Sequence, residues 1–152
     1  MKVDKVDIEI LRLLQHDGRL PASHIAEQLN ISIPTVTERI KKLQDTEIID
    51  GIHASINPQK LGLDVSALIT VISESSLQYK DFTEIAEKTP EIVQCFSTTG
   101  RGSHTLLVIT KNSQSLEELL RKIQSWPGVA RTETQIILSS FKSIHSIPIT
   151  KN

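Results

Sequence analysis

Residues 21–43, PASHIAEQLNISIPTVTERIKKL, predict two short helices joined by a tight turn. In the first helix, Ile25 and Leu29 are four residues apart, so they share one side and form a narrow apolar stripe. Asn30 follows directly, and asparagine readily adopts the left-handed conformation in which many helices end. The pattern therefore predicts that the first helix ends at Asn30.

The second helix has a start signal and two distinct faces. Ser32 can cap its first turn, and Pro34 lies in that turn, where its missing N–H removes no hydrogen bond. At about 100° per residue, one side of this helix is apolar and comprises Val36, Ile40 and Leu43. The opposite side is polar and partly cationic and comprises Pro34, Thr35, Thr37, Glu38, Lys41 and Lys42.

This layout is typical of a helix-turn-helix, whose second helix enters the DNA major groove. An ordinary helical hairpin with a solvated face has the same periodicity, so the apolar pattern alone does not separate the two interpretations. The wider sequence favours the first. Residues 29–43, LNISIPTVTERIKKL, with IIDGI at 48–52, resemble without gaps the helix-turn-helix signature of the Lrp/AsnC (feast/famine) transcription regulators.

The chain departs from that signature at two positions. The family's proline comes one residue later here, at Pro34, and Glu47 stands where a glycine is common. The resemblance implies a sequence-specific DNA-binding regulator, which is not an enzyme. The alternatives are a DNA-packaging or ligand-independent architectural DNA-binding protein, a protein-interaction module, and a small ferredoxin-like enzyme for which no acid, base or nucleophile can be named.

We predict that the second helix contacts double-stranded DNA. Eight residues lie on the proposed contact surface or at its edge: Ser32, Pro34, Thr35, Thr37, Glu38, Arg39, Lys41 and Lys42. The threonines, Glu38 and Lys41 are candidates for base edges, because threonine can contact a thymine methyl group and glutamate can accept from cytosine. Lys42, Ser32 and Arg39 are candidates for phosphates. A salt bridge to an acid of the preceding helix explains Arg39 equally well.

Composition limits how DNA could be bound. The net charge of the 152 residues is −1, and residues 1–50 contain seven Lys or Arg against nine Asp or Glu. Affinity must therefore come from a local patch, and we expect a homodimer, since one helix-turn-helix contacts only a half-site. Cys95 is the single cysteine, which fits a reducing cytoplasm. The chain has no apolar run of membrane length, and its start is not a signal peptide.

From Val65 onward the pattern becomes strand, helix, strand, strand, helix, strand. Alternating apolar residues predict strands at 65–71, 92–98, 105–110 and 129–138, and helical stripes predict helices near 82–86 and 116–126. Each helix is followed by a proline, a small or polar residue and two apolar residues, in PEIV (90–93) and PGVA (127–130), which indicates two similar halves. This order predicts a ferredoxin-like βαββαβ domain with helices on one sheet face only, so the other face needs a cover.

The predicted fold is α+β, with an N-terminal winged-type helix-turn-helix domain of three helices followed by the ferredoxin-like domain. We assign residues 1–50 to the DNA-binding domain, whose first helix starts at a cap formed by Asp4 and Asp7. Residues 51–64 form a hinge strand or linker, residues 65–143 a dimerisation and effector-sensing domain, and residues 144–152 a tail without a predicted structure.

The second domain also resembles the small-ligand-sensing module of the Lrp/AsnC family. The resemblance implies dimers formed by two sheets packed face to face, further assembly to tetramers or octamers, and an amino acid or related small molecule as effector. It places seven residues where the family binds its effector: Gly100, Arg101, Gly102, Ser103, His104, Thr132 and Thr134.

The effector loop departs from the family. Members that bind amino acids commonly carry an acidic G-D-x-D stretch, whereas this chain has GRGSH at 100–104, which reverses the local charge. Three interpretations follow: a ligand recognised through a carboxylate or another anion, an amino acid held differently by backbone groups and Ser103, or no small ligand. Gly-Arg-Gly also fits a plain hairpin turn with an exposed arginine.

The sequence offers no reason to expect a metal, cofactor or catalytic site. The five histidines are scattered, and none has metal-ligand spacing from another histidine, from Cys95 or from a carboxylate cluster. No nucleophile elbow or phosphate-binding glycine loop is present.

Overall fold

The structure is a computed structural model that describes residues 3–74, 79–142 and 147–149. The described residues form two compact units, one reaching from the N-terminal part of the chain to Ser55 and including the segment from Lys142, the other from Ile56 to Phe141. The remaining residues of the predicted tail, 144–146 and 150–152, lie outside the described ranges. Within the part of the chain that is described, no helix is long and apolar enough to cross a membrane.

Three helices form the first unit: α1 (Lys5–His16), α2 (Ala22–Leu29) and α3 (Ile33–Asp45). Their shared core is aliphatic and comprises Ile10, Ile25, Ala26, Val36 and Leu43. The predicted capping box starts α1, because the Asp7 N–H donates to Asp4 Oδ1 at 2.9 Å and the Asp4 N–H donates to Asp7 Oδ2 at 3.0 Å.

The turn between α2 and α3 has the predicted geometry. Asn30 ends α2 in the left-handed conformation, with φ 53° and ψ 47°. Ser32 caps α3 by accepting the Thr35 N–H at 3.2 Å, and Pro34 lies in the first turn. The sequence thus specifies both helix boundaries at this turn through local hydrogen bonding.

Residues 51–64, predicted as a hinge strand or linker, contain no strand within the protomer, and the predicted wing is absent. Residues 51–57 are assigned to no strand and are exposed, and residues 46–64, all of them described, contain no hairpin, so the winged-type description does not hold here. The alternation of Ile52, Ala54 and Ile56 is real, but a strand needs a neighbour to pair its N–H and C=O groups. Only a single 3₁₀ turn, Gln59–Leu61, follows.

The second unit confirms the βαββαβ order. Its elements are β1 (Val65–Ser73), α4 (Tyr79–Glu87), β2 (Ile92–Ser97), β3 (His104–Thr110), α5 (Ser113–Gln124) and β4 (Val129–Ile136). The strands form one antiparallel sheet in the order β2-β3-β1-β4. The ferredoxin-like prediction holds, with β4 ending two residues earlier than the alternating pattern indicated.

The two faces of this sheet differ in cover. Ala67, Ile69 and Val71 alternate along β1 and are completely buried with the helices α4 and α5. The intervening residues of β1 and their partners on β3 and β2 point to the other face, which therefore carries Leu68, Ile72, Leu107 and Phe96. Phe96 is 45% exposed, so this open face presents apolar surface.

The C-terminal segment 147–149 lies against α1. The Ile147 N–H donates to Gln15 Oε1 at 2.7 Å, and Arg12 Nη2 donates to the Ile149 carbonyl oxygen at 3.2 Å. These contacts explain why the segment groups with the first unit, and no pattern in the sequence indicates them.

Glu47 provides a test of backbone strain at the end of α3. Its φ is +56°, a left-handed conformation that favours glycine. We expect Glu47→Gly to raise the free energy of unfolding by about 0.5–1 kcal/mol, because the strain of an L residue is removed. Denaturant unfolding measures the change. As a control, Gln44→Gly, at an exposed helical position, should lower it by about 1 kcal/mol; a loss of stability in Glu47→Gly would contradict the strain.

Candidate DNA-binding helix and effector site

The outward side of α3 carries most of the predicted DNA-contacting residues. Ser32, Pro34, Thr37, Glu38, Lys41 and Lys42 are all exposed, whereas Thr35 is half-buried. The buried side is fixed by Val36 and Leu43, which have no exposed surface. The core thus turns a cationic pair and one carboxylate outward on the same helix surface.

The hydroxyl groups at the start of α3 are engaged within the helix itself. Ser32 Oγ lies 2.7 Å from Thr35 Oγ1 and accepts the Thr35 N–H. Thr37 Oγ1 donates to the carbonyl oxygen of Ile33 at 3.0 Å. The Thr37 hydroxyl hydrogen is therefore already bonded within the helix and is not available to DNA. The spacing of residues along the helix does not indicate this bond.

Arg39 lies between α3 and the start of α1. Its Nη1 is 2.7 Å from Asp4 Oδ2 and 2.8 Å from Asp7 Oδ1. The hydrogen bond from the Asp7 N–H, followed by the bond from Arg39, lowers the pKa of Asp4, and the two aspartates raise the pKa of Arg39. Of the two interpretations of Arg39, the structure contains the salt bridge, so we assign Arg39 to positioning α3 and remove it from the phosphate contacts.

The loop between β2 and β3 is built on two glycines with different constraints. Gly100 has φ +109°, which L residues rarely adopt. A Cβ on Gly102 would overlap Thr70 Cγ2 and lie 2.8 Å from the Val71 carbonyl oxygen. Ser103 follows, and its N–H donates to the same carbonyl at 2.9 Å. The loop is therefore packed closely against β1 and is more than an unconstrained turn.

Arg101 lies beside two charged residues that the sequence pattern did not single out. Arg101 Nη2 is 3.6 Å from Glu133 Oε1, and Arg131 Nη2 is 3.5 Å from the same oxygen. Glu133 pairs with Thr70 across the strands, which places it on the open sheet face. Two guanidinium groups thus share one carboxylate and leave an excess positive charge at that site.

Thr132 and Thr134 lie on the opposite face from Arg101. They pair with Val71 and Ile69, which face the helices, and Thr132 Oγ1 accepts from Gln124 Nε2 of α5 at 3.1 Å. The seven predicted effector residues therefore do not form one cluster within the protomer. The alternation of side chains along β4 could have revealed this separation in the sequence, because residues 131 and 133 must face opposite to residues 132 and 134.

His104 lies in the core covered by the helices. It is 2% exposed, its ring centroid is 4.6 Å from that of Phe82, and Nδ1 lies 2.9 Å from Ser103 Oγ. Burial lowers the pKa of His104 below its usual 6.5. The assignment of His104 to direct effector contact therefore has to be corrected, because its ring packs inside the domain.

Within the described ranges, no group of three or more His, Cys, Asp or Glu side chains is placed to hold a metal ion. Cys95 as a whole is exposed, but its sulfur is partly shielded from water, and this burial raises the pKa of the thiol. The chemistry available at the two candidate sites is therefore that of ion pairing, hydrogen bonding and apolar contact.

Two family models match consecutive parts of the chain. Residues 3–44 match the AsnC-type helix-turn-helix domain. Residues 64–147 match the Lrp/AsnC ligand binding domain. Together the two matches cover α3 up to Gln44 and the loop that carries Arg101.

Three similar proteins cover nearly the whole chain. The transcriptional regulator FL11 of Pyrococcus horikoshii is 35% identical over 147 residues, 97% of each chain. A transcriptional regulator of Neisseria meningitidis in complex with L-methionine has a TM-score of 0.91 at 28% identity, covering 97% of each chain. The feast or famine regulatory protein of M. tuberculosis complexed with L-methionine has a TM-score of 0.90 at 31% identity, covering 96% of this chain and 99% of that one.

The buried histidine gives a prediction for acid conditions. Because the folded state lowers the pKa of His104, the unfolded chain binds more protons below about pH 6.5, so this group's contribution to stability is lost as the pH falls through that value. We expect His104→Gln to flatten the decrease in unfolding free energy between pH 7 and pH 5, measured by urea unfolding. Ser103→Ala keeps the buried ring and should keep the decrease; equal slopes in wild type and His104→Gln would refute the assignment.

Proposed function

The chain belongs to the Lrp/AsnC family of transcription regulators, and from this membership we propose that it recognises a specific DNA site through α3 and responds to a small ligand at its sheet domain. The similar proteins FL11 of Pyrococcus horikoshii and AsnC of Haemophilus influenzae are named as an HTH-type transcriptional regulator and a regulatory protein. The observation that carries the proposal is the outward polar side of α3, which begins at a capped turn and holds Lys41 and Lys42 exposed.

We assign the contacts by chemistry. Glu38 and Lys41 reach base edges, where glutamate accepts from cytosine and lysine donates to guanine. Lys42 holds a phosphate. Thr35 and Thr37 contribute chiefly their methyl groups, since their hydroxyl groups are engaged within the helix. Ser32 acts first as the helix cap, and from the start of α3 it would contact a phosphate.

We propose that two protomers bind together. The open sheet face, with Leu68, Ile72, Leu107 and Phe96, is the surface that a second copy would cover. Two-fold symmetry then predicts a roughly palindromic site whose half-sites are separated by about one helical turn or a multiple of it. Dimers of this kind would assemble further to tetramers or octamers, and they would act in the cytoplasm, where the DNA is.

We propose that the effector is an amino acid or a related small molecule with a carboxylate group. The similar proteins from N. meningitidis and M. tuberculosis are complexed with L-methionine. In this chain the excess positive charge of Arg101 and Arg131 around Glu133 favours an anionic group. Ligand binding at the sheet domain would shift the arrangement or assembly of protomers, and so the spacing of the two α3 helices.

The salt dependence of DNA binding tests the contact surface. Lys41→Ala combined with Lys42→Ala should weaken binding to all duplexes and reduce the slope of log affinity against log salt by roughly 1 for each phosphate that the variant no longer neutralises. Gel-shift titration at several salt concentrations measures it. Lys111→Ala with Lys122→Ala removes two exposed lysines of the sheet unit and should leave the slope unchanged.

Two outcomes of that titration would contradict the proposal. An unchanged slope in the Lys41 and Lys42 variant would remove these residues from the interface. Loss of wild-type binding at the same salt concentration on every sequence would favour DNA packaging over a sequence-specific regulator, because specific contacts persist at salt that removes random binding.

The Arg101 side chain allows a matched test of the effector. A thermal-shift screen against amino acids and small organic acids should yield a ligand that stabilises the protein by about 2.7 kcal/mol at 100 times its dissociation constant. Arg101→Ala should weaken that ligand about tenfold, through loss of a charge-assisted hydrogen bond. The carboxamide analogue of the ligand lacks the anion and should bind wild type and variant alike. If Arg101→Ala left every responsive ligand unaffected, the assignment would be wrong.

A further inference from the structure

The first turn of α3 exposes a large apolar side chain, although the rest of the outward side of the helix is mostly polar. Ile33 is the first residue of α3, and it is 50% exposed. It does not belong to the core formed by Val36 and Leu43. Pro34 beside it is also exposed. Half of this large β-branched residue is exposed to solvent outside the core cluster, so its apolar surface is available to a partner.

The polar groups around Ile33 are already satisfied. Its own carbonyl oxygen accepts the Thr37 hydroxyl at 3.0 Å. Ser32 Oγ and Thr35 Oγ1 are 2.7 Å apart, and Ser32 Oγ also accepts the Thr35 N–H. What the first turn offers to an approaching partner is therefore mainly hydrocarbon: the Ile33 side chain, the Pro34 ring and the Thr37 methyl group.

We infer that Ile33 reads the C5-methyl group of a thymine in each half-site, an inference that rests on the proposed entry of α3 into the major groove. In that groove thymine presents a methyl group, whereas cytosine presents only hydrogen at the same carbon, and apolar side chains recognise this difference. Residues at the start of the recognition helix are the ones that reach base edges. Ile33 thus sets specificity by apolar contact, beside the polar contacts of Glu38 and Lys41.

Deoxyuridine provides the test, because it removes only the methyl group and keeps the pairing and the O4 acceptor of thymine. A preferred duplex is first selected from random sequences with the full-length protein. Each thymine is then replaced singly by deoxyuridine and binding is measured by fluorescence anisotropy. For wild type we expect a loss of about three- to tenfold at one thymine or more in each half-site, as burial of one methyl group implies.

The variant and its control assign that loss to Ile33. Ile33→Ala should bind the thymine and deoxyuridine duplexes with a ratio near one at that position, because the side chain that covers the methyl group is gone. Ile33→Thr, which keeps the β-branch, serves as a second variant and should show a reduced ratio. Ile52→Ala removes an isoleucine that is 48% exposed elsewhere in the same unit, and it should keep the wild-type ratio.

The outcomes separate the two proposals. If selection recovers no preferred duplex, sequence-specific recognition fails, and the methyl contact fails with it. If a preferred duplex is found but no thymine is sensitive to deoxyuridine, or if Ile33→Ala and Ile33→Thr keep the wild-type ratio, the contact assigned to Ile33 is overturned while the regulator function stands.

Discussion

The rotation of α3 about its own axis decides which residues can meet DNA, and two contacts fix it. On one side of α3, Val36 and Leu43 are fully buried. Beside that buried side, Arg39 forms salt bridges with Asp4 and Asp7. The same aspartates close the capping box of α1, so one charge cluster joins the start of the first helix to the middle of the third. Rotation by one residue would break this partly buried pair and bury polar groups, so the outward side follows from the core.

The low net charge of the chain limits how strongly the outward side of α3 can attract DNA. With two exposed lysines on α3, the electrostatic attraction of one protomer for DNA is small, and Glu38 on the same side opposes contact with phosphates. The Glu38 carboxylate is repelled by DNA phosphates in any sequence, but it can accept a hydrogen bond from cytosine. It therefore weakens binding more at sites that lack this cytosine than at sites that have it. This arrangement favours selective binding by paired protomers over the indiscriminate binding that DNA packaging requires.

Local patterns predicted most of the fold. Both helix boundaries at the α2–α3 turn and the βαββαβ order follow from residue spacing, because backbone hydrogen bonds and burial act over a few residues. Residues 51–64 were predicted as a hinge strand or linker and contain no strand within the protomer, because pairing depends on a partner that residue spacing cannot supply. The sequence could not decide whether Arg39 forms a salt bridge or contacts a phosphate, because an aspartate and a phosphate both attract a guanidinium group. Strand alternation separates the predicted effector residues: Thr132 and Thr134 lie on the face covered by the helices, whereas Arg101 pairs with Glu133 on the open face.

The position of Glu133 links the two proposals made for the sheet domain. Glu133, with Arg101 and Arg131 around it, lies on the open face that we assign to a second protomer. A ligand carboxylate and an approaching protomer would therefore both change the solvation of the same guanidinium groups, and the two binding events must be coupled. Coupling of this kind is reciprocal: a ligand that binds the assembled state more tightly strengthens assembly by the same factor. The effector would then control DNA binding without any contact to α3, through the number of protomers held together.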